Sequence, residues 1–138
     1  MQTNFSHSIK LRVRYSETDQ MGYCYYGNYA QYFEVGRVEA LREIGLSYKE
    51  MEENGIMLPV SEFHVNYYMP AFYDDELTIT TNIILIKGCR IFFEYEIKNK
   101  QNVKISAAKT TLVFVSKLTM KPITPPSTLL TLLKKYEN

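Results

Sequence analysis

In residues 8 to 15, SIKLRVRY, the apolar Ile9, Leu11, Val13 and Tyr15 alternate with Lys10, Arg12 and Arg14. A period of two puts the apolar set on one face of an extended chain and the cations on the other, so this stretch predicts a half-buried strand. SETDQMG breaks the pattern. From Asn28 onward the period lengthens: Tyr29, Tyr32, Phe33, Gly36, Ala40, Leu41 and Ile44 recur at three- and four-residue spacing, the stripe of an amphipathic helix. Glu34, Arg37, Glu39, Arg42 and Glu43 take the other faces. Asn28 with Gln31 resembles a capping box, and Gly45 is a natural stop. Gly36 lies on the apolar stripe, where glycine costs about 1 kcal/mol against alanine. The expected compensation is close approach of the helix to a flat surface, such as a sheet. Ser47 and Glu50 open a second short helix that Gly55 closes.

The remainder returns to a period of two. Phe63, Val65 and Tyr67 alternate with Glu62, His64 and Asn66, and Pro70 ends that run. Leu77, Ile79, Thr81, Ile83 and Leu85 alternate with Thr78, Thr80 and Asn82. KGCR suits a tight hairpin, with Gly88 free to take a positive φ. Ile91, Phe93, Tyr95 and Ile97 form the next apolar face, and residues 103 to 116 read as one further long strand. Pro122, Pro125 and Pro126 precede a short closing helix, STLLTLLKKYE. One strand, one long helix and then about four antiparallel strands define an α+β fold. An antiparallel sheet of five or six strands wrapped around the single helix satisfies every pattern.

Composition narrows the class. A chain of 138 residues reads as a single domain, 1–138, able to bury a core without staples. A net charge of +1 supplies no field that would recruit nucleic acid or a membrane surface. No stretch is apolar over the ~20 residues of a spanning helix, and no secretory signal is visible, so the expected setting is the cytoplasm without membrane insertion. The two cysteines, Cys24 and Cys89, form no CxxC or zinc-like set and are expected to stay reduced.

Most site chemistries are absent. The two histidines, His7 and His64, give no credible Ser-His-Asp set, and His64 falls on a strand, facing solvent or a partner. No metal cluster has usable spacing, and neither GxxxxGK nor GxGxxG occurs. Asp19 remains. It precedes the long helix by about nine residues, so it can fold back near the helix start, where unpaired N–H groups carry partial positive charge. Such donors stabilise a developing oxyanion, and a nearby carboxylate can activate water or attack directly. On composition and spacing alone, a turn residue is the simpler reading of Asp19, and the tyrosines around it read first as core or interface aromatics.

A resemblance changes that balance. Residues 15 to 29, Y-S-E-T-D-Q-M-G-Y-C-Y-Y-G-N-Y, resemble the signature of the 4-hydroxybenzoyl-CoA thioesterase family of hot-dog proteins, in particular the branch of small acyl-CoA thioesterases associated with the Tol-Pal system. YFEVGRVEALREIGLS resembles the family's helix, and VNYYMPAFYDDELTI its following strand and turn. The likeness spans about residues 9 to 126. It implies a hot-dog fold, a homodimer or homotetramer with active sites between subunits, and acyl-CoA hydrolysis. By matching position, Asp19 falls on the family's catalytic carboxylate. Tyr26 falls on the residue whose backbone N–H polarises the thioester carbonyl, with the Gly27 N–H beside it. Related chains often carry histidine where Tyr26 stands, so no imidazole is available here. Glu34 is a second candidate, because a helical glutamate does the chemistry in another hot-dog branch. Tyr25 and Asn28 match motif positions at the site, with packing and capping as their structural roles. Lys87 and Arg90, flanking the KGCR hairpin, match basic positions that meet the phosphates of coenzyme A.

The sequence therefore predicts an acyl-CoA thioesterase that uses no metal or redox cofactor, with coenzyme A entering as part of the substrate. Two alternatives stay open. One is an acyl-carrier-protein thioesterase, for which the face carrying Lys10, Arg12 and Arg14 would dock an acidic carrier. The other is a non-catalytic hot-dog module that binds acyl ligands.

Overall fold

The computed structural model describes all 138 residues, Met1–Asn138. The alternating segments become strands β1 (Gln2–Arg12), β3 (Val60–Tyr67), β4 (Glu76–Lys87), β5 (Arg90–Asn99) and β6 (Lys104–Val113). They join in one antiparallel sheet in the order β1-β4-β5-β6-β3. The long helix α1 (Tyr29–Ile44) lies on one face of that sheet, followed by α2 (Tyr48–Glu53). Two short strands, β2 (Ile56–Met57) and β7 (Val115–Ser116), pair apart from the main sheet, and α3 (Ser127–Leu133) closes the chain. This is the expected α+β arrangement of a sheet wrapped on one helix. No helix is long and apolar enough to cross a membrane.

The stripe on α1 behaves as its spacing requires: Tyr29, Tyr32, Phe33, Gly36, Ala40, Leu41 and Ile44 are all buried. Gly36 is the point of closest approach. A Cβ there would stand 2.7 Å from Thr81 Oγ1 and 2.8 Å from Ile79 Cγ2, so only glycine lets α1 sit this low on β4. Leu77, Ile79, Ile83, Ile91, Phe93 and Ile97 line the same core. Ser47 accepts from the Glu50 amide to start α2, Gly45 ends α1 at φ 102°, and Gly88 turns the β4–β5 hairpin at φ 60°. Both cysteines are free thiols.

Six local readings differ from the structure, the first being Arg37, which is buried on α1 and donates to the Tyr48 and Tyr95 hydroxyls instead of facing solvent. β1 begins at Gln2 rather than residue 8, and Tyr15 is not on it: residues Tyr15–Glu17 form a 3-10 turn that leaves Tyr15 77% exposed. A bulge between Ile83 and Leu85 shifts the register, so Ile86 rather than Leu85 faces the core. The run 103 to 116 is interrupted at Phe114, which is buried, and its last two residues pair with β2 instead. Phe63 and Tyr67 stay largely exposed because β3 is an edge strand that α1 covers only in part. The expected Asn28–Gln31 capping box does not form, for a reason that lies in the site.

Candidate functional site

The segment leaving β1 is pinned at once: Val13 N–H donates to Asp75 O, and Asp74 N–H to Val13 O. The 3-10 turn then buries Glu17. Its Oε1 accepts from the Arg14 amide (2.8 Å) and the Tyr32 hydroxyl (2.9 Å), and its Oε2 from the Arg14 guanidinium (3.2 Å). Burial pushes the Glu17 carboxyl up. The Arg14 amide, the Tyr32 hydroxyl and the Arg14 charge outweigh that and hold it below its ordinary value of 4.5.

Asp19 opens the next turn. Its N–H donates to Tyr23 O (3.0 Å), its carbonyl accepts from Gly22 N–H (2.9 Å), and its Oδ1 accepts from the Met21 amide (2.9 Å). This side-chain-to-backbone bond fixes the carboxylate and leaves Oδ2 without a partner in the chain. The chain is then stitched back to the body of the protein, with Cys24 N–H donating to Ala71 O (2.7 Å) and Tyr25 N–H to Glu17 O (2.8 Å).

Helix α1 is entered through one 3-10 turn, Tyr26–Asn28. Asn28 N–H pairs with Tyr25 O, and Tyr29 N–H with Tyr26 O. The two amides before them, of Tyr26 and Gly27, lie ahead of the first pairing and find no acceptor in the chain. Asn28 would be the natural cap. Instead its backbone is already helical, and its side-chain Nδ2 donates to Glu17 O (2.8 Å). That competing bond explains the missing capping box.

These parts meet in a cleft of about 360 Å³ lined by Asp19, Met21, Tyr26 and Tyr29 on one side and by Tyr67 to Pro70 on the other. The aromatic rings meet edge-on, Tyr26 against Tyr67 at 6.1 Å and Tyr29 against Tyr67 at 5.3 Å between centroids. Cys24 also reaches the cleft. Burial pushes its thiol up, and the Glu17 charge adds to that, which disfavours the thiolate that a nucleophile needs. Burial likewise raises the Tyr29 and Tyr32 hydroxyls, which stay neutral. The arrangement offers a fixed carboxylate with one free oxygen, unpaired amides at a helix start, and an apolar, aromatic wall.

Of the residues singled out in the sequence, Asp19 and Tyr26 share this cleft, with Gly27 and Asn28 in the turn at its edge. Tyr25 is exposed, with its ring 4.9 Å from that of Tyr26. Glu34 is exposed on α1 and does not line the cleft. Lys87 and Arg90 stand at the far end of β4, eleven residues beyond Glu76, or roughly 36 Å at 3.3 Å per residue. Within one chain they are not brought to Asp19. The cations Lys10, Arg12 and Arg14 all have acidic partners, Glu76, Asp74 and Glu76, and Glu17, so that face is not a free basic surface. Sequence reasoning missed Glu17, Tyr32 and the Tyr67–Pro70 wall. A glutamate two positions before Asp19 and an aromatic run after a strand were the available signals.

Comparisons with known proteins bear on the fold and the activity. Residues 13–133 match the thioesterase-like superfamily. The acyl-CoA thioester hydrolase YbgC of Escherichia coli O6:H1 is 33% identical over 119 residues, covering 86% of this chain and 89% of that protein. The acyl-CoA thioesterase YbgC of Haemophilus influenzae is 30% identical over 120 residues, covering 86% and 88%. Among solved structures, a DHNA-CoA thioesterase from Staphylococcus aureus superimposes with a TM-score of 0.90 at 32% identity, covering 94% of this chain and 89% of that one.

Proposed function

The chain belongs to the thioesterase-like superfamily and is a thioester hydrolase of acyl-CoA, and we propose that its reaction runs on Asp19 and the free amides at the start of α1. The observation that carries this reading is the meeting, in one cleft, of a fixed carboxylate with an unbonded oxygen and the turn that holds two unpaired N–H groups. The thioester carbonyl oxygen takes hydrogen bonds from the Tyr26 and Gly27 amides, which favour the negative charge that builds there on attack. Asp19 Oδ2 removes a proton from the attacking water, or attacks the carbonyl itself to give a mixed anhydride that water then opens. Either route consumes one water and yields the free carboxylate and the coenzyme A thiol. No metal or redox cofactor enters, and coenzyme A is part of the substrate.

Oligomerisation completes the reading. β3 is an edge strand with Val60, Phe63 and Tyr67 half exposed, an edge that proteins seldom leave open. It runs from the hairpin end of the sheet, where Pro59 O accepts from Val113 N–H, to the cleft end at Tyr67. Antiparallel pairing of β3 with its copy therefore carries the partner's hairpin toward this chain's cleft, within reach of the coenzyme A phosphates. We assign the active species as a cytoplasmic homodimer, or a homotetramer built from it.

The test is steady-state hydrolysis across short, medium, long-chain and aromatic acyl-CoAs and acyl carrier proteins, with wild type beside Asp19→Asn. A kcat loss of about 100- to 10,000-fold in Asp19→Asn, with fold and oligomer intact, is expected. Equal rates in the two proteins would refute the Asp19 mechanism. Turnover confined to carrier-protein thioesters would move the substrate to the protein-borne class, and an absence of turnover would leave a binding module.

A further inference from the structure

We infer that Glu17 is a positioning residue for this reaction, holding the Asp19 turn and the free amides of Tyr26 and Gly27 in one frame. The inference rests on the Asp19 reading. Glutamate is among the residues least often buried without partners, yet Glu17 is only 7% exposed. Its carboxylate accepts three bonds that come from two directions: the Arg14 amide and guanidinium upstream, and the Tyr32 hydroxyl from the first turn of α1. Its carbonyl accepts two more, from the Tyr25 amide and Asn28 Nδ2, on either side of the two free amides. One residue thus ties the strand exit, the Asp19 turn two residues on, and the helix start.

The same bonds fix the backbone at the helix entry. With Asn28 Nδ2 committed to Glu17 O, the side chain that could cap the first turn is held away from it. Loosening Glu17 would move the Asp19 carboxylate relative to the Tyr26 and Gly27 amides. Glu17 acts through Asp19 and the amides and touches no reacting atom.

Glu17→Gln keeps the size of the side chain but lacks the charge and one acceptor. It should lower kcat about 10- to 100-fold while KM stays within about threefold. Tyr32→Phe, which removes one of the donors to the carboxylate, should lower kcat less, and the double variant should lose less than the product of the two single losses, because both changes act on the same carboxylate. On an Asp19→Asn background, Glu17→Gln should cost much less than in the wild type, because only its hold on the amides is left to lose. An equal loss on that background would make Glu17 merely structural and overturn the inference. Unchanged kcat in Glu17→Gln, with Asp19→Asn collapsed, would overturn it and leave the Asp19 reading standing. An active Asp19→Asn would sink the Asp19 reading, and positioning of Asp19 chemistry falls with it. Amide exchange then decides separately whether the frame exists. In Glu17→Gln, protection at Tyr25 and Asn28 should fall about tenfold with Leu41 and Phe93 unchanged. Unaltered protection would dismiss the frame as well. If Glu17→Gln fails to fold, the kcat split and exchange of Tyr32→Phe decide by the same criteria.

Discussion

At its C-terminal end, helix α1 closes on itself. Gly45 N–H donates to Arg42 O and Leu46 N–H to Leu41 O, with Gly45 at φ 102° and Leu46 buried. These two hydrogen bonds satisfy carbonyls that a helix otherwise leaves unpaired. At its N-terminal end the same helix does the reverse. The residue able to cap it, Asn28, spends its side chain on Glu17 O, and the Tyr26 and Gly27 amides stay free beside the cleft. A cap of either kind is worth about 1 kcal/mol. The N-terminal end stands next to a fixed carboxylate, and in the proposed reaction its two free amides are donors to the substrate. On the proposed mechanism one end of α1 serves stability and the other serves chemistry, so changes at the two ends should separate the two properties.

The largest separation should come from deleting a free amide without disturbing the helix. Tyr25 has φ −64° and ψ 131°, an extended conformation that tolerates a following proline, and Tyr26 is the first residue of the turn. Tyr26→Pro therefore removes one N–H where proline fits. Tyr26→Ala removes the ring but keeps the N–H. If that amide meets the oxyanion, kcat of the proline variant should lie about 100- to 1,000-fold below that of the alanine variant. Matching kcat values with matched circular dichroism would show that the Tyr26 amide is not a donor.

The opposite end should report in stability alone. Gly45→Ala forces a Cβ into a left-handed conformation at a cost of about 1–2 kcal/mol. Space is not the obstacle, since the new Cβ would meet only Leu132 methyls at 3.8 Å. The unfolding free energy from denaturant titration should fall by that amount while kcat and KM hold. A drop in kcat at temperatures where the variant is fully folded would mean that the two ends are coupled.

What the sequence could reveal follows the same division. The stripe from Tyr29 to Ile44 was legible because a repeating pattern reports burial on a regular element, and Gly36 was legible as a contact because glycine has no other reason to sit there. The shift from Leu85 to Ile86 was not, since a bulge arises from how two strands fit. Nor was the openness of β3, whose alternation is the same for an edge as for a central strand. Asp19 stood out only through the motif around it; its spacing alone fits an ordinary turn. Asn28 looked like a cap because the competing acceptor lies eleven residues away at Glu17. Glu17 carried no signal of its own, because the Tyr32 hydroxyl that gives it a partner is fifteen positions on. Local patterns fix elements, but the bonds that build this site join segments that only folding brings together.

The smallest effect expected is a difference in acid sensitivity between the two ends. The Glu17 carboxyl is held below its ordinary value of 4.5, because hydrogen bonds from the Arg14 amide and the Tyr32 hydroxyl, with the Arg14 charge, outweigh the burial that pushes it up. A carboxylate depressed in this way contributes its stability in full above 4.5. The contribution is lost as pH falls through the folded value, when the proton displaces the bonds. Those bonds lie at the N-terminal end of α1, whereas the Gly45 closure involves only backbone groups that do not titrate. Below 4.5, then, exchange protection, corrected for intrinsic rates, should decline first at the Tyr25 and Asn28 amides and later at Gly45 and Leu46. In Glu17→Gln the first decline should already be present at neutral pH and no longer move with acid. A simultaneous loss at both ends of the wild-type helix would mean that acid unfolds the protein as a whole, and that Glu17 does not hold the open end on its own.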